Sequence, residues 1–267
     1  MSKRKTIGLA LGSGGPRGLA HVGVIKTLLK HNIHIDYIAG SSIGAWIAVH
    51  YGLYQDIKKL EEYTVHKKKD KFYVFLEPTL KGGFVKGTKM HELLKLWLKD
   101  KSFSDTKIPV SVVATDLITG KPIMISKGKL AEAARASMSV PTLFKPLIIN
   151  EQLLIDGGSS NPVPDDVVKK MGADIVISVN LDNYHKNSSF NINNLTLTKT
   201  ANRTFEIMRH YLAQYSIKDS DFIIEPNIPA IGIMSWPKYF REEIGPKIVK
   251  IGEKETEKII DDLKKVL

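Results

Sequence analysis

Two glycine-rich turns near the start of the chain constrain its fold more than any other feature. They are Gly12-Ser13-Gly14-Gly15-Pro16-Arg17-Gly18 and Gly40-Ser41-Ser42-Ile43-Gly44. Each follows an apolar, strand-like segment and each opens a segment of helical period. Glycine relieves crowding where a chain turns sharply from strand into helix. Two such units in succession read as β-α-β-α, with parallel strands and helices on both faces of the sheet.

The rest of the chain continues the pattern. Spacing predicts strands at 7–11, 35–39, 109–115, 122–126, 147–149, 153–155, 174–180 and 222–224. Helices are predicted at 18–31, 43–51, 130–137, 164–171, 195–215 and 241–267. Residues 117–121 read as a hairpin loop, and 182–194, rich in Asn, Ser and Lys, as a mobile loop. No repeat and no linker divides the 267 residues, so one domain over 1–267 is expected.

Within it, 54–101 reads as mostly helical and basic, interrupted by the turn Glu77-Pro78-Thr79-Leu80-Lys81-Gly82-Gly83, with 12 Lys against 7 acidic residues. It is a candidate lid or cap. The net charge of +11 suggests attraction to an anionic surface. A solvated basic face is the plainer reading of the same residues.

Composition removes several chemistries. With no cysteine, disulfides, thiol catalysis and thiolate metal sites are excluded, and a reducing, cytoplasmic setting is expected. No apolar run is long enough to span a bilayer. The basic start followed by 6–12 reads as the first strand, since it runs into a glycine loop rather than a cleavage site. No cofactor, metal or nucleic acid is expected.

The second turn reads G-x-S-x-G, the strand-to-helix elbow that exposes a nucleophilic serine hydroxyl. Ser42 also lies at a helix N-terminus, whose dipole favours developing negative charge. A plain helix cap would use the same serine, and the local sequence leaves both open. The first turn fits neither nucleotide motif. Arg17 stands where a dinucleotide loop needs its third glycine, and Leu19 follows Gly18 where a P-loop needs Lys. Gly14, Gly15 and Arg17 can instead offer free backbone N–H groups to an oxyanion, whereas Pro16 has none. A tight βα turn is the structural alternative.

The base is less obvious. Of eight histidines, none sits in a turn that marks it as a partner. Asp156 ends an apolar strand and precedes Gly157-Gly158, which places a carboxylate at a strand's C-terminal edge. Its reference pKa near 3.9 is low for a base, so desolvation would have to raise it. A Ser-Asp-His triad ending in His185 or His210 stays open at this level.

Taken together, these residues resemble the patatin-like phospholipase family, whose pattern is G-x-G-G-x-R/K-G, then G-x-S-x-G, then D-G-G/A. Ala136-Ser137-Met138-Ser139-Val140-Pro141-Thr142-Leu143-Phe144 is similar to that family's A-S-x-S-x-P-x-x-F segment. The likeness covers about residues 6–180 and is nearest the small prokaryotic members. It implies a three-layer α/β/α sandwich with a mainly parallel sheet. It also implies a Ser42–Asp156 dyad without histidine, and an oxyanion hole from the N–H groups of Gly14, Gly15 and Arg17. The activity implied is serine acyl-ester hydrolysis of a phospholipid or lysophospholipid, with peripheral contact to an anionic membrane. Short-chain ester or thioester hydrolysis, acyl transfer, and a non-catalytic binding module are the alternatives.

Overall fold

The computed structural model describes residues 4–183, 195–228 and 235–267. β1 (Ile7–Leu11) leads through a 3₁₀ turn, Gly15–Leu19, into α1 (Ala20–Lys30). β2 (Tyr37–Ser41) turns at once into α2 (Ile43–Tyr54). Three helices follow, α3 (Ile57–Glu61), α4 (Lys68–Tyr73) and α5 (Thr88–Trp97), with a π turn at Glu62–His66. β3 (Val110–Asp116), β4 (Pro122–Ile125), α6 (Leu130–Ser137), β5 (Leu147–Ile149) and β6 (Gln152–Asp156) form the middle of the chain. It closes with α7 (Asp165–Lys170), β7 (Ile175–Val179), α8 (Leu197–Tyr215), β8 (Phe222–Ile224), α9 (Trp236–Arg241) and α10 (Gly245–Val266).

The strands form one sheet along the path β5-β6-β3-β2-β1-β7-β8, with β4 also on β3. β2, β1, β7 and β8 run parallel, as does β2 with β3. β4, β5 and β6 pair antiparallel. Period-two alternation explains the layers. In β1, Ile7, Leu9 and Leu11 join the larger core, which includes Val22 and Ile25 of α1 and Ile248 of α10. Ala10 points the other way, into a second core with Val167 and Val168 of α7 and Ala213 of α8. All of β1, β3 and β7 is buried, as a sheet covered on both faces requires.

The hydrogen bonds of β3 place the site. Ile38 N–H donates to Pro109 O and Leu117 N–H to Leu153 O, whereas Asp116 N–H donates to Lys121 O. Successive residues of a strand present their polar groups to alternate edges. The odd positions of this run therefore face both β2 and β6, and the even ones face β4. β2 and β6 lie end to end along one edge of β3, with Ser41 opposite Val113 and Asp156 opposite Ala114. The end of each strand meets the end of the other.

Two expectations needed correction. β2 runs two residues past the predicted 39 into the elbow, because its low-propensity Gly40 is retained for close packing. A Cβ there would lie 2.2 Å from Gly44 O. The predicted helix 241–267 is α10, which starts four residues later at Gly245 with Pro246 in its first turn, while α9 before it ends at Arg241 against extended Glu242. The 54–101 segment is helical on both sides of the expected interruption, where 78–87 is held by isolated bridges of Val85 to Pro78 and Phe144. Of the predicted loop 182–194, residues 184–194 lie outside the described residues.

Candidate active site

The elbow after β2 carries Ser42 at φ 55 and ψ −120, a backbone conformation seldom adopted by a residue with a side chain. Helix α2 packs so close to the first turn that a Cβ on Gly44 would lie 2.1 Å from Leu11 O. The Ser42 N–H donates to Ser137 Oγ at 2.8 Å, and Ser137 Oγ donates to Val113 O at 2.6 Å. The elbow is thus tied to β3 through α6. Ser42 also caps nothing with its side chain. Its hydroxyl donates instead to Asp156 Oδ2 in a short hydrogen bond.

Asp156 is held from its other side. Its Oδ1 accepts the Gly158 N–H at 2.8 Å, and its own N–H donates to Ser139 O at 3.0 Å. Burial pushes the Asp156 carboxyl up, against the nearby Arg209 charge and the hydrogen bonds from Ser42 and Gly158, while Asp182 adds to the rise. A carboxylate raised in this way accepts a proton more readily than an exposed one.

No histidine stands between them among the described residues. His21 Nε2 bonds Gly12 O at 2.7 Å, and burial lowers its pKa to about 4. His210 Nδ1 bonds Asp182 O at 2.7 Å. His185 lies outside the described residues.

The glycine loop crosses above the elbow. Arg17 N–H closes the 3₁₀ turn onto Gly14 O at 3.3 Å, and Pro16 has no donor. The N–H groups of Gly14 and Gly15 are therefore the orphan donors of that turn. The Arg17 side chain is buried and pairs with Asp182 Oδ1 at 2.8 Å. Asp182 Oδ2 meets Arg209 of α8 at 2.7 Å. Arg209 also donates to Ser13 Oγ at 2.6 Å and to Gly158 O at 3.1 Å. This buried Arg-Asp-Arg cluster ties the glycine loop to the turn after Asp156.

A pocket opens from Ser42 and Gly15. Its walls include Ile43, Trp46, Met138, Val140, Phe144 and Trp236. The 54–101 segment supplies the facing wall, including Thr64, Lys71, Phe75, Met90, Leu94 and Trp97. Among the described residues no group of three or more His, Asp or Glu could hold a metal ion.

Residues 9–168 match the family model described as patatin-like phospholipase. The chain belongs to the patatin-like phospholipase family. It is 34% identical over 188 residues to an uncharacterized NTE family protein of Mycobacterium tuberculosis, covering 68% of this chain and 50% of that one. It is 31% identical over 183 residues to patatin-like phospholipase domain-containing protein 6 of Homo sapiens, covering 66% of this chain and 13% of that protein. The chain thus matches half or less of the length of these curated relatives. Crystallised VipD from Legionella pneumophila shares the fold at a TM-score of 0.57 and 13% identity, over 98% of this chain and 67% of that one.

The patatin fold therefore extends beyond the matched residues 9–168. Asp182 and Arg209 lie past that match, and no motif in the sequence marks them. Their only sequence signals are a charged residue after an apolar strand and one Arg on an amphipathic helix. Ser137 was within reach, since it stands in the quoted A-S-x-S segment. Among the described residues of this patatin-like chain, no helix is long and apolar enough to cross a membrane.

Proposed function

We propose that Ser42 and Asp156 form a catalytic dyad that hydrolyses lipid acyl esters through an acyl-enzyme. The observation that carries this reading is the direct, buried hydrogen bond from the Ser42 hydroxyl to the Asp156 carboxylate. In acylation, Ser42 Oγ forms a bond to the ester carbonyl carbon while its proton passes to Asp156. The oxyanion takes hydrogen bonds from Gly14 and Gly15 N–H, each such donor being worth about 10²–10³ in rate. Arg17 contributes by anchoring that loop through Asp182. Collapse breaks the bond to the alcohol, which leaves with the proton from Asp156. Water then attacks the acyl-enzyme by the reverse proton route and frees the acid.

Lipid as substrate is supported by family membership and by the apolar pocket at Ser42. A membrane-facing rim is supported beside it. Phe75 and Trp236 line both the pocket and an adjoining groove with Phe72, Leu143, Pro237 and Phe240. Phe72, Leu76, Leu80 and Phe84 are exposed, close in sequence to Lys67-Lys68-Lys69. Such a rim suits an anionic bilayer.

The test is hydrolysis of 4-nitrophenyl esters and phospholipid vesicles by the purified protein beside Ser42→Ala. The reading expects turnover of both, lost in the variant. Vesicle binding should weaken steeply with salt. Undiminished turnover by Ser42→Ala rejects the dyad, and salt-independent binding rejects the electrostatic rim.

A further inference from the structure

The pocket at Ser42 is apolar almost throughout, yet a lysine enters it. Lys71, on α4, lines the cavity together with Ser42. The residue is partly exposed as a whole, but its amine is enclosed. Nζ donates to Thr64 O at 2.6 Å and to the Tyr239 hydroxyl. It also lies 4.9 Å from the centroid of the Tyr239 ring. Tyr239 OH in turn bonds Val65 O at 3.1 Å. Every one of these partners is neutral.

Among the described residues no carboxylate pairs with this amine, and Asp70 alone offsets its charge, from a distance. Lys71 takes part in no ion pair among the described residues, and neighbouring Lys68 is itself paired with Glu243 at 3.0 Å. Asp70, adjacent in sequence, is exposed. Residues 1–3, 184–194 and 229–234 contain no Asp or Glu at all. An ammonium has three donors, and two are used. Enclosing it without a counter-charge is costly. Burial, with a smaller contribution from Lys68 and against the pull of Asp70, lowers the Lys71 pKa to about 7. A ligand anion would remove that cost.

The position of the amine says which part of a substrate could carry the anion. Trp46 lies one helical turn beyond Ser42, and its Nε1 donates to Thr64 Oγ1 at 3.1 Å. Thr64 is the residue whose carbonyl receives Lys71. Ser42, Trp46, Thr64 and Lys71 thus form a run of neighbours that passes from one pocket wall to the facing one. The same cavity is lined by Val74, Met90, Leu94 and Phe144. These suit methylenes, whereas the hydroxyls and ester oxygens of a glycerophosphate would be left without partners there.

We propose that Lys71 receives a carboxylate at the far end of the substrate's acyl chain, so that the pocket selects esters of dicarboxylic acids. This rests on the reading of Ser42 as the acylated residue. An acyl chain held at both ends stays in place through formation and hydrolysis of the acyl-enzyme, while the alcohol departs.

Binding tests the inference apart from turnover. Half-amides of butanedioic to dodecanedioic acid, whose amide end replaces the ester, are titrated calorimetrically against plain fatty amides of equal length. Wild-type protein should favour one or more half-amides by about tenfold or more, as a charge-assisted bond allows. Lys71→Met should abolish that preference and leave the plain amides bound as before. Equal binding of both series by wild type at every length overturns the proposal, as does a preference that survives in Lys71→Met. If Lys71→Met does not fold, the wild-type comparison alone decides. Weaker turnover of phospholipid alone in Lys71→Met would put the anion on the alcohol side and also overturn it. Loss of ester hydrolysis in Ser42→Ala is read separately and bears only on the dyad.

Discussion

Replacing Ser42 by glycine should stabilise the protein relative to replacing it by alanine, although both variants lose activity. Ser42 sits at φ 55 and ψ −120, outside even the left-handed helical well, and such conformations cost about 1–3 kcal/mol. Alanine keeps the Cβ and therefore the strain. Glycine removes it, at an entropic cost of about 0.5–1 kcal/mol relative to alanine. Both variants lose the hydroxyl and with it the bond to Asp156, so that loss cancels in the comparison. Ser42 borders the pocket, so deleting its Cβ removes little packing. The net expectation is that Ser42→Gly exceeds Ser42→Ala by about 0–2.5 kcal/mol, with about 1 at the middle of the range. Urea denaturation followed by circular dichroism would show this as a higher midpoint at unchanged slope. Equal midpoints, or a higher one for alanine, would show that the strain at the elbow does not exceed the entropic cost of glycine.

Asp156→Asn should leave the fold intact, because the amide oxygen can still accept the Gly158 N–H, while kcat falls by about 10²–10⁴. Steady-state ester kinetics with a thermal melt of the same sample checks both halves. Asp182→Asn leaves Arg17 and Arg209 buried without their shared carboxylate, and a loss of about 3–5 kcal/mol is expected in denaturant titration. The buried histidines set an acid limit. Burial lowers His21 to about 4 and His50 to about 3, against an ordinary value of about 6.5 when unfolded. Above 6.5 both states are neutral and nothing is lost. As pH falls from about 6.5 to about 4, the unfolded chain takes up two protons that the native state refuses. These two groups should then lower stability by about 2.7 kcal/mol per pH unit, and His50→Phe, which suits packing against Trp46, Tyr54 and Tyr63, should halve that slope.

Local signals carried much of this architecture and part of the site. The period-two strands β1, β3 and β7 and the elbow at Ser42 are written in short windows, so their positions were readable. The contact between Ser42 and Asp156 is not local. It arises because β2 and β6 abut along one edge of β3, a register set by pairings of Ser41 with Val113 and of Asp156 with Ala114. Only the family resemblance bridged that separation in the sequence. The Arg17–Asp182–Arg209 cluster was invisible for a similar reason, since charged residues ordinarily face solvent and nothing nearby marks these as buried. Pro246, of a type favoured in a helix's first turn, marks the start of α10 within a long amphipathic run. Lys71 looked like one more member of a basic stretch, and only the pocket distinguishes it from its neighbours.

The most direct measurement is covalent labelling with a fluorophosphonate followed by peptide mapping. A Ser42–Asp156 dyad predicts one adduct, on the peptide containing Ser42, absent in Ser42→Ala and formed far more slowly in Asp156→Asn. An adduct on another residue, or full labelling that persists in Ser42→Ala, would contradict the assignment of the nucleophile. Labelling of Asp156→Asn at the wild-type rate would contradict the assignment of the base.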